Sequence, residues 1–136
     1  MIAICNALQS NVHLQLLDIG NNFTSRLTQT VFTNVMQQFG NALCTNKTLR
    51  EISLAKSGIT DWVICDFFAD NLARNNSLVV LDLSSNKIGK DGGIAFFKAI
   101  ETHATLLKIN LSCCSIQDEG AAQAAQYIIS NLKIKT

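Results

Sequence analysis

Proline is absent from all 136 residues, and tryptophan and tyrosine occur once each. With no proline and seven scattered glycines, no stretch reads as an interdomain linker, so a single domain over 1–136 is expected. Excess charge is lacking too. Eleven Lys and Arg against ten Asp and Glu leave a net charge of +1, with both signs scattered. That balance excludes the basic footprint of a nucleic-acid or anionic-membrane binder. No apolar run approaches the ~20 residues of a membrane span. Met1–Leu8 lacks the length and basic start of a signal peptide.

Patterns that carry chemistry are equally scarce. Cys5, Cys44, Cys65, Cys113 and Cys114 are odd in number and form no C-x-x-C or Cys/His cluster. The first three fall within helical apolar patterns, where free thiols are at home, so a reducing intracellular compartment is expected. His13 and His103 stand apart from any Ser, Cys or carboxylate at a spacing that predicts a dyad. Cys113 has no activating neighbour. Gly89, Gly92 and Gly93 mark a helix entry but lack the Lys-Ser/Thr of a phosphate loop. Asp118 and Glu119 suit the first turn of a helix, where the dipole favours them. The sequence therefore predicts no enzyme, no cofactor, no metal site and no small-molecule ligand.

What the sequence does contain is a period. Leu78–Ile88 reads L-x-x-L-x-L-x-x-N-x-I, a spacing with a physical reading. Leu81 and Leu83 point inward from a short strand while Val80 and Asp82 point out. Asn86 then turns the chain, its amide pairing backbone groups that the turn leaves free. The register recurs. Leu49, Ile52, Leu54 and Ile59 occupy the same positions, with Ser57 in the Asn place. Leu106, Ile109, Leu111 and Ile116 do so again with Cys114 there, and Leu14, Leu17 and Ile19 precede Asn21-Asn22. Six residues before each opening Leu stands Leu8, Leu43, Leu72 or Ile100, and ten before stands Ile4, Phe39, Phe68 or Phe96. Each pair lies four apart, on one helix face. Asn11, Asn46, Asn75 and His103 stand three before the next opening Leu, where a left-handed residue ending the helix is expected.

Repeats of 28–29 residues with a full helix resemble the ribonuclease-inhibitor-like leucine-rich repeats, a pattern shared by tropomodulin's C-terminal domain, the Ran GTPase-activating protein and NOD-like receptor sensor arrays. The resemblance implies an α/β fold: a short solenoid with a parallel sheet on the concave face, helices on the convex face, and about four repeats plus an N-terminal helix. The boundaries are 1–13 for an N-terminal half repeat, then 14–48, 49–77, 78–105 and 106–133, with a stub at 134–136. Ile134 stands where a fifth repeat would open. Asn46–Glu51 and Ala104–Lys108 are similar to tropomodulin's repeats. The Ile-, Asn- and Gln-rich, proline-free composition also resembles leucine-rich-repeat effectors of intracellular bacterial pathogens, which implies the host cytosol as location.

Two irregularities stand out. Repeat one spans 35 residues, about seven more than the others, and the surplus falls near Phe23–Asn34. Leu27, Val31, Val35, Phe39 and Leu43 at strict four-residue spacing predict a longer helix, whose extension is either plain surface or a lip for a partner. Trp62 stands where the later repeats carry Asp91 and Glu119. It is either an exposed anchor or it folds over the enlarged neighbouring repeat.

Function in such a fold sits on surface residues grafted onto the scaffold. The strands turn Leu16, Asp18, Arg50, Glu51, Val79, Val80, Asp82, Leu107, Lys108 and Asn110 outward on the concave face. Leu16, Val79, Val80 and Leu107 are expected to form an apolar ridge with a charged rim, the anatomy of an interface. Four strands span about 15 Å. A patch of roughly 400 Å² falls short of the ~800 Å² per partner of a standard interface, so the loops bearing Trp62, the repeat-one extension or the exposed edge of strand four must contribute. A protein partner, an enzyme or another effector, is expected. Inhibition by covering an active site is the leading reading, with a tropomodulin-like actin cap and a GTPase activator as alternatives.

Overall fold

The computed structural model describes residues 2–23 and 27–130. The repeat boundary at 133, the stub and Ile134 lie outside the described residues. Four three-residue strands, β1 (Leu16–Asp18), β2 (Glu51–Ser53), β3 (Val80–Asp82) and β4 (Lys108–Asn110), form one parallel sheet in chain order. Leu17, Ile52, Leu81 and Ile109 pair across it, the register that the aligned leucines predict. Each strand returns through helix: α1 (Ile2–Ser10) precedes β1, α2 (Gln29–Thr45) follows it, and α5 (Lys90–Ala99) and α6 (Gln117–Ser130) follow β3 and β4. After β2 the helix is composite, with α3 (Asp61–Val63), a π turn (Ile64–Phe68) and α4 (Ala69–Arg74).

The core lies between sheet and helices. Ile52, Leu54, Ile59, Leu81, Leu83 and Ile88 enter it from the strand side, and Phe39, Leu43, Phe68, Leu72, Phe96 and Ile100 from the helices. Burying each such side chain contributes about 1.5–3 kcal/mol. The pattern loosens at repeat one. Leu14 and Ile4 are exposed, and α1 meets the core through Cys5 and Leu8 instead of the expected Ile4–Leu8 pair.

The asparagines that close the helices are not left-handed. Asn46 and Asn75 have φ of −69° and −72° with extended ψ. Their side chains do the work. Asn75 Nδ2 donates to the Leu43 carbonyl of the preceding repeat at 2.6 Å, while its Oδ1 accepts from the amides of Ser77 and Leu78 at 2.9 and 2.8 Å. Asn46 likewise donates to Leu8 and accepts from Thr48 and Leu49. Each amide thus satisfies buried backbone groups on two repeats at once. The left-handed residues that recur once per repeat come later, at Asn21, Lys56, Ser85 and Cys113, with φ of 52–58°. There the amides of Asn21, Lys56 and Ser85 continue the inter-repeat ladder to Ala55, Ser84 and Ser112. Asn86 performs the expected turn-closing role, donating to Leu54 and Leu83 and accepting from Ser57 and Ile59. In the equivalent place Cys114 donates its thiol to Leu83 at 3.4 Å.

Both length irregularities have a local cause. Phe68 follows Ile59 by nine positions, whereas Phe96 follows Ile88 by eight. The π turn lies between Ile59 and Phe68 and absorbs the extra residue, as single-residue insertions into helices do. Asn71 Nδ2 caps the Phe67 carbonyl at 2.6 Å. In repeat one the helix is longer, 17 residues from a Thr28 cap, but Leu27 precedes it and Val31 is exposed. The four-residue stripe is therefore buried from Val35 onward, and the rest of the surplus falls ahead of Thr28, partly outside the described residues.

Candidate functional site

On the concave face the register sets two rows of outward side chains. One runs Leu16, Glu51, Val80, Lys108, and the other Asp18, Ser53, Asp82, Asn110. A third row lies just before the strands, where the amides of Arg50, Val79 and Leu107 donate to the carbonyls of Gln15, Arg50 and Val79. The apolar residues do not form a continuous ridge. Glu51 separates Leu16 from Val80, and Val79 and Leu107 sit together in the pre-strand row. Alignment of repeats places residues in rows, but an unbroken ridge needs apolar residues in every repeat, and repeat two supplies Arg50 and Glu51 there.

Leu16, Asp18, Glu51, Ser53, Val80 and Asp82 wall a shallow depression of about 240 Å³, with Leu17 and Ile52 at its floor. Leu16 is 60% exposed, whereas Val80, Val79 and Leu107 are half-buried. Ile52 is buried in the core, as its register position predicts. Leu17 is half-buried because its repeat lies at the edge of the described sheet.

Several polar members already have backbone partners. Asp18 Oδ1 accepts from the Gly20 amide at 2.9 Å, Asp82 Oδ1 from Ser84 at 2.8 Å and Asn110 Oδ1 from Ser112 at 3.0 Å. These are Asx turns that end β1, β3 and β4, and they leave the second carboxylate oxygen of Asp18 and Asp82 for other contacts. Arg50 donates to the Ser77 carbonyl at 3.0 Å, while Glu51 and Lys108 are exposed. Two charges of opposite sign thus flank Val80 across the strands.

Trp62 lies elsewhere. It sits on α3, outside the walls of the depression, 39% exposed and edge-on to Phe67 with ring centroids 5.2 Å apart. It neither stands free nor folds into the core. The nearby Cys65 thiol is pushed up by burial first and then by Asp61, Asp66 and Asp91, which disfavours the nucleophilic thiolate. Asp61 has a structural task, capping α5 from the preceding repeat through the Gly89 amide. Among the described residues no group of three or more His, Cys, Asp or Glu is placed to hold a metal ion, and no helix is long and apolar enough to cross a membrane.

A family model described as "Leucine Rich repeat" matches residues 74–97 and 102–122. The fold is a leucine-rich-repeat solenoid. Ribonuclease inhibitor from Mus musculus is 28% identical over 72 residues, covering 52% of this chain and 16% of that protein. The chain therefore spans about a sixth of that relative's length. Among solved structures, the leiomodin-1 actin-binding site 2 domain superposes with a TM-score of 0.79 at 20% identity, over 96% of this chain and 73% of that one. The tropomodulin C-terminal domain from Caenorhabditis elegans does so with 0.81 at 17% identity, over 98% and 78%. These likenesses span repeats one to four and establish the architecture.

Proposed function

We propose that this solenoid is a non-catalytic protein-binding module that docks a partner on its concave face and regulates it, covering the active site where that partner is an enzyme. The observation that carries the reading is the concave depression that Leu16 and Val80 wall on either side of Glu51, where apolar surface meets the carboxylates of Asp18, Glu51 and Asp82. Solenoids present such concave surfaces to partners, and the name of the related ribonuclease inhibitor supports inhibition as the mode. Trp62 extends the contact from the side of α3, since the sheet alone is smaller than a standard interface. The compartment we assign is reducing and intracellular, the host cytosol for a bacterial effector. Five free thiols support it.

The test is affinity capture with mass spectrometry, followed by titration of the purified partner. Leu16→Arg should abolish binding with folding intact, because Leu16 is the most exposed apolar residue of the face. Trp62→Ala should weaken it by about 1–2 kcal/mol. A captured partner whose affinity survives both substitutions removes the concave face from consideration. A second reading, an actin-binding cap, is favoured by the similar leiomodin-1 domain, which is named as an actin-binding site. Co-sedimentation with filaments and a polymerisation assay decide that reading directly.

A further inference from the structure

His103 occupies the place that Asn46 and Asn75 hold in the preceding turns. It is 4% exposed. Its Nδ1 accepts from the amides of Leu106 at 3.2 Å and Thr105 at 3.4 Å, as the asparagine Oδ1 atoms accept from Ser77, Leu78, Thr48 and Leu49. There the likeness ends. Among the described residues, His103 Nε2 has no hydrogen-bond partner, whereas each asparagine Nδ2 donates to a carbonyl of the preceding repeat. An Nδ1 that accepts is unprotonated, so the neutral ring carries its proton on the orphaned Nε2.

We infer that the turn joining repeats three and four is an acid-sensitive latch, closed only while His103 is neutral. An asparagine amide does not titrate in this range, but an imidazole does. Uptake of a proton from water at Nδ1 turns the acceptor into a donor, and the amides of Thr105 and Leu106 lose their partner together. The buried N–H of Leu106, the part-buried N–H of Thr105 and a charged N–H would then face one another, so the turn must open to admit water. What else holds this junction is Thr105 Oγ1 on the Leu78 carbonyl at 2.7 Å, the β3–β4 pairing and the packing of α6 on α5. The opening therefore starts at 103–106 and leaves the earlier turns closed.

Among the described residues no charged neighbour offsets this. Arg74 closing α4, Lys98 closing α5, Glu101 in the turn beyond it, Lys108 on β4, and Asp118 and Glu119 opening α6 are all exposed. Asp82 stands at the far end of β3 from Leu78. None of these contributes to the titration of His103, whose pKa is lowered by burial alone. A histidine whose folded pKa lies below its unfolded value keeps the fold fully stable above the unfolded pKa of about 6.5, and stability is lost as pH falls through the folded one. The window thus opens just below pH 6.5, above the range in which carboxylates titrate. The inference stands whether or not the concave face binds a partner.

Amide hydrogen exchange on the whole chain, read residue by residue by NMR between pH 7.5 and 5.5, tests it with internal controls. After correction for intrinsic rates, protection at Thr105 and Leu106 should fall across this interval. Protection at Ser77 and Leu78, held by Asn75, and at Thr48 and Leu49, held by Asn46, should not. The imidazole spectrum should report the Nε2–H tautomer for His103 at pH 7.5. The urea-derived unfolding constant of the wild type should rise by up to about tenfold over the same interval, the limit set by one proton taken up by the unfolded chain alone. His103→Asn should remove that rise, and His13→Asn, which alters the exposed second histidine, should keep it. An Nδ1–H tautomer, or protection falling in parallel at all three turns, would overturn the inference. Both readouts need only the wild-type chain, so they decide the matter even if a variant fails to fold.

Discussion

Truncating Asn75 to alanine measures how much one stitch between repeats is worth. The change removes a donor to Leu43 and an acceptor for Ser77 and Leu78, all at 2.6–2.9 Å and all in buried surroundings. Each buried backbone group left without a partner costs about 1–3 kcal/mol. Exposed Asn76 next to the turn gives water a route to some of them. The expected loss is therefore about 3–5 kcal/mol, below the sum of three full penalties, and it is large against a typical stability of 5–15 kcal/mol. For a chain of this size it corresponds to a fall in Tm of roughly 10–15 °C. Urea denaturation followed by circular dichroism gives the number. Asn41→Ala serves as the control: Asn41 is exposed on α2, so its loss should stay within about 0.5 kcal/mol. A loss below about 1 kcal/mol at Asn75 would refute the reasoning, because the freed groups would then have been hydrated without difficulty.

Two further substitutions probe the junctions. Gly92→Ala would bring a methyl group within 2.6 Å of Asp61 Oδ1 and 2.8 Å of its Cα, so α3 and α5 must separate. A destabilisation of about 1–3 kcal/mol is expected by urea titration. Lys56→Gly should act in the opposite direction. Lys56 is exposed with φ of 52°, a conformation that costs a side-chain-bearing residue about 1 kcal/mol. Relief of that strain should raise the urea midpoint, less the entropy that glycine adds to the unfolded chain.

The strand register was fully legible, because Leu and Ile recur with a period that no helix alone would give. The ends of the helices were legible in position but not in mechanism. Asparagine three residues before an opening leucine is compatible with a left-handed backbone or with a bridging side chain, and spacing does not separate the two. Distances of 2.6–2.9 Å to two repeats do. The 29-residue repeat advertised an extra residue. Its place between Ile59 and Phe68 follows from the internal offsets, yet its form as a π turn depends on how freed carbonyls such as that of Phe67 are satisfied, here by Asn71. At the candidate site the rows were legible and their character was not. The ridge from Leu16 to Leu107 assumed that apolar residues in different repeats would touch, and Glu51 intervenes. Trp62 was ambiguous in sequence because its partner, Phe67, lies five residues away, a spacing that meets across the π turn.

The two surplus lengths share a location. Both the extra residue of repeat two and the longer stretch of repeat one fall after their strands, in loop and helix, and the four strands stay in unbroken register. The concave side is consequently a regular grid, ruled at about 4.8 Å between strands and about 6.6 Å between like-facing residues along each one. Insertions on the opposite side do not move its lines. A ligand that reads this grid can be matched cell by cell, and exchanging side chains within a cell alters specificity while the spacing of the cells stays constant.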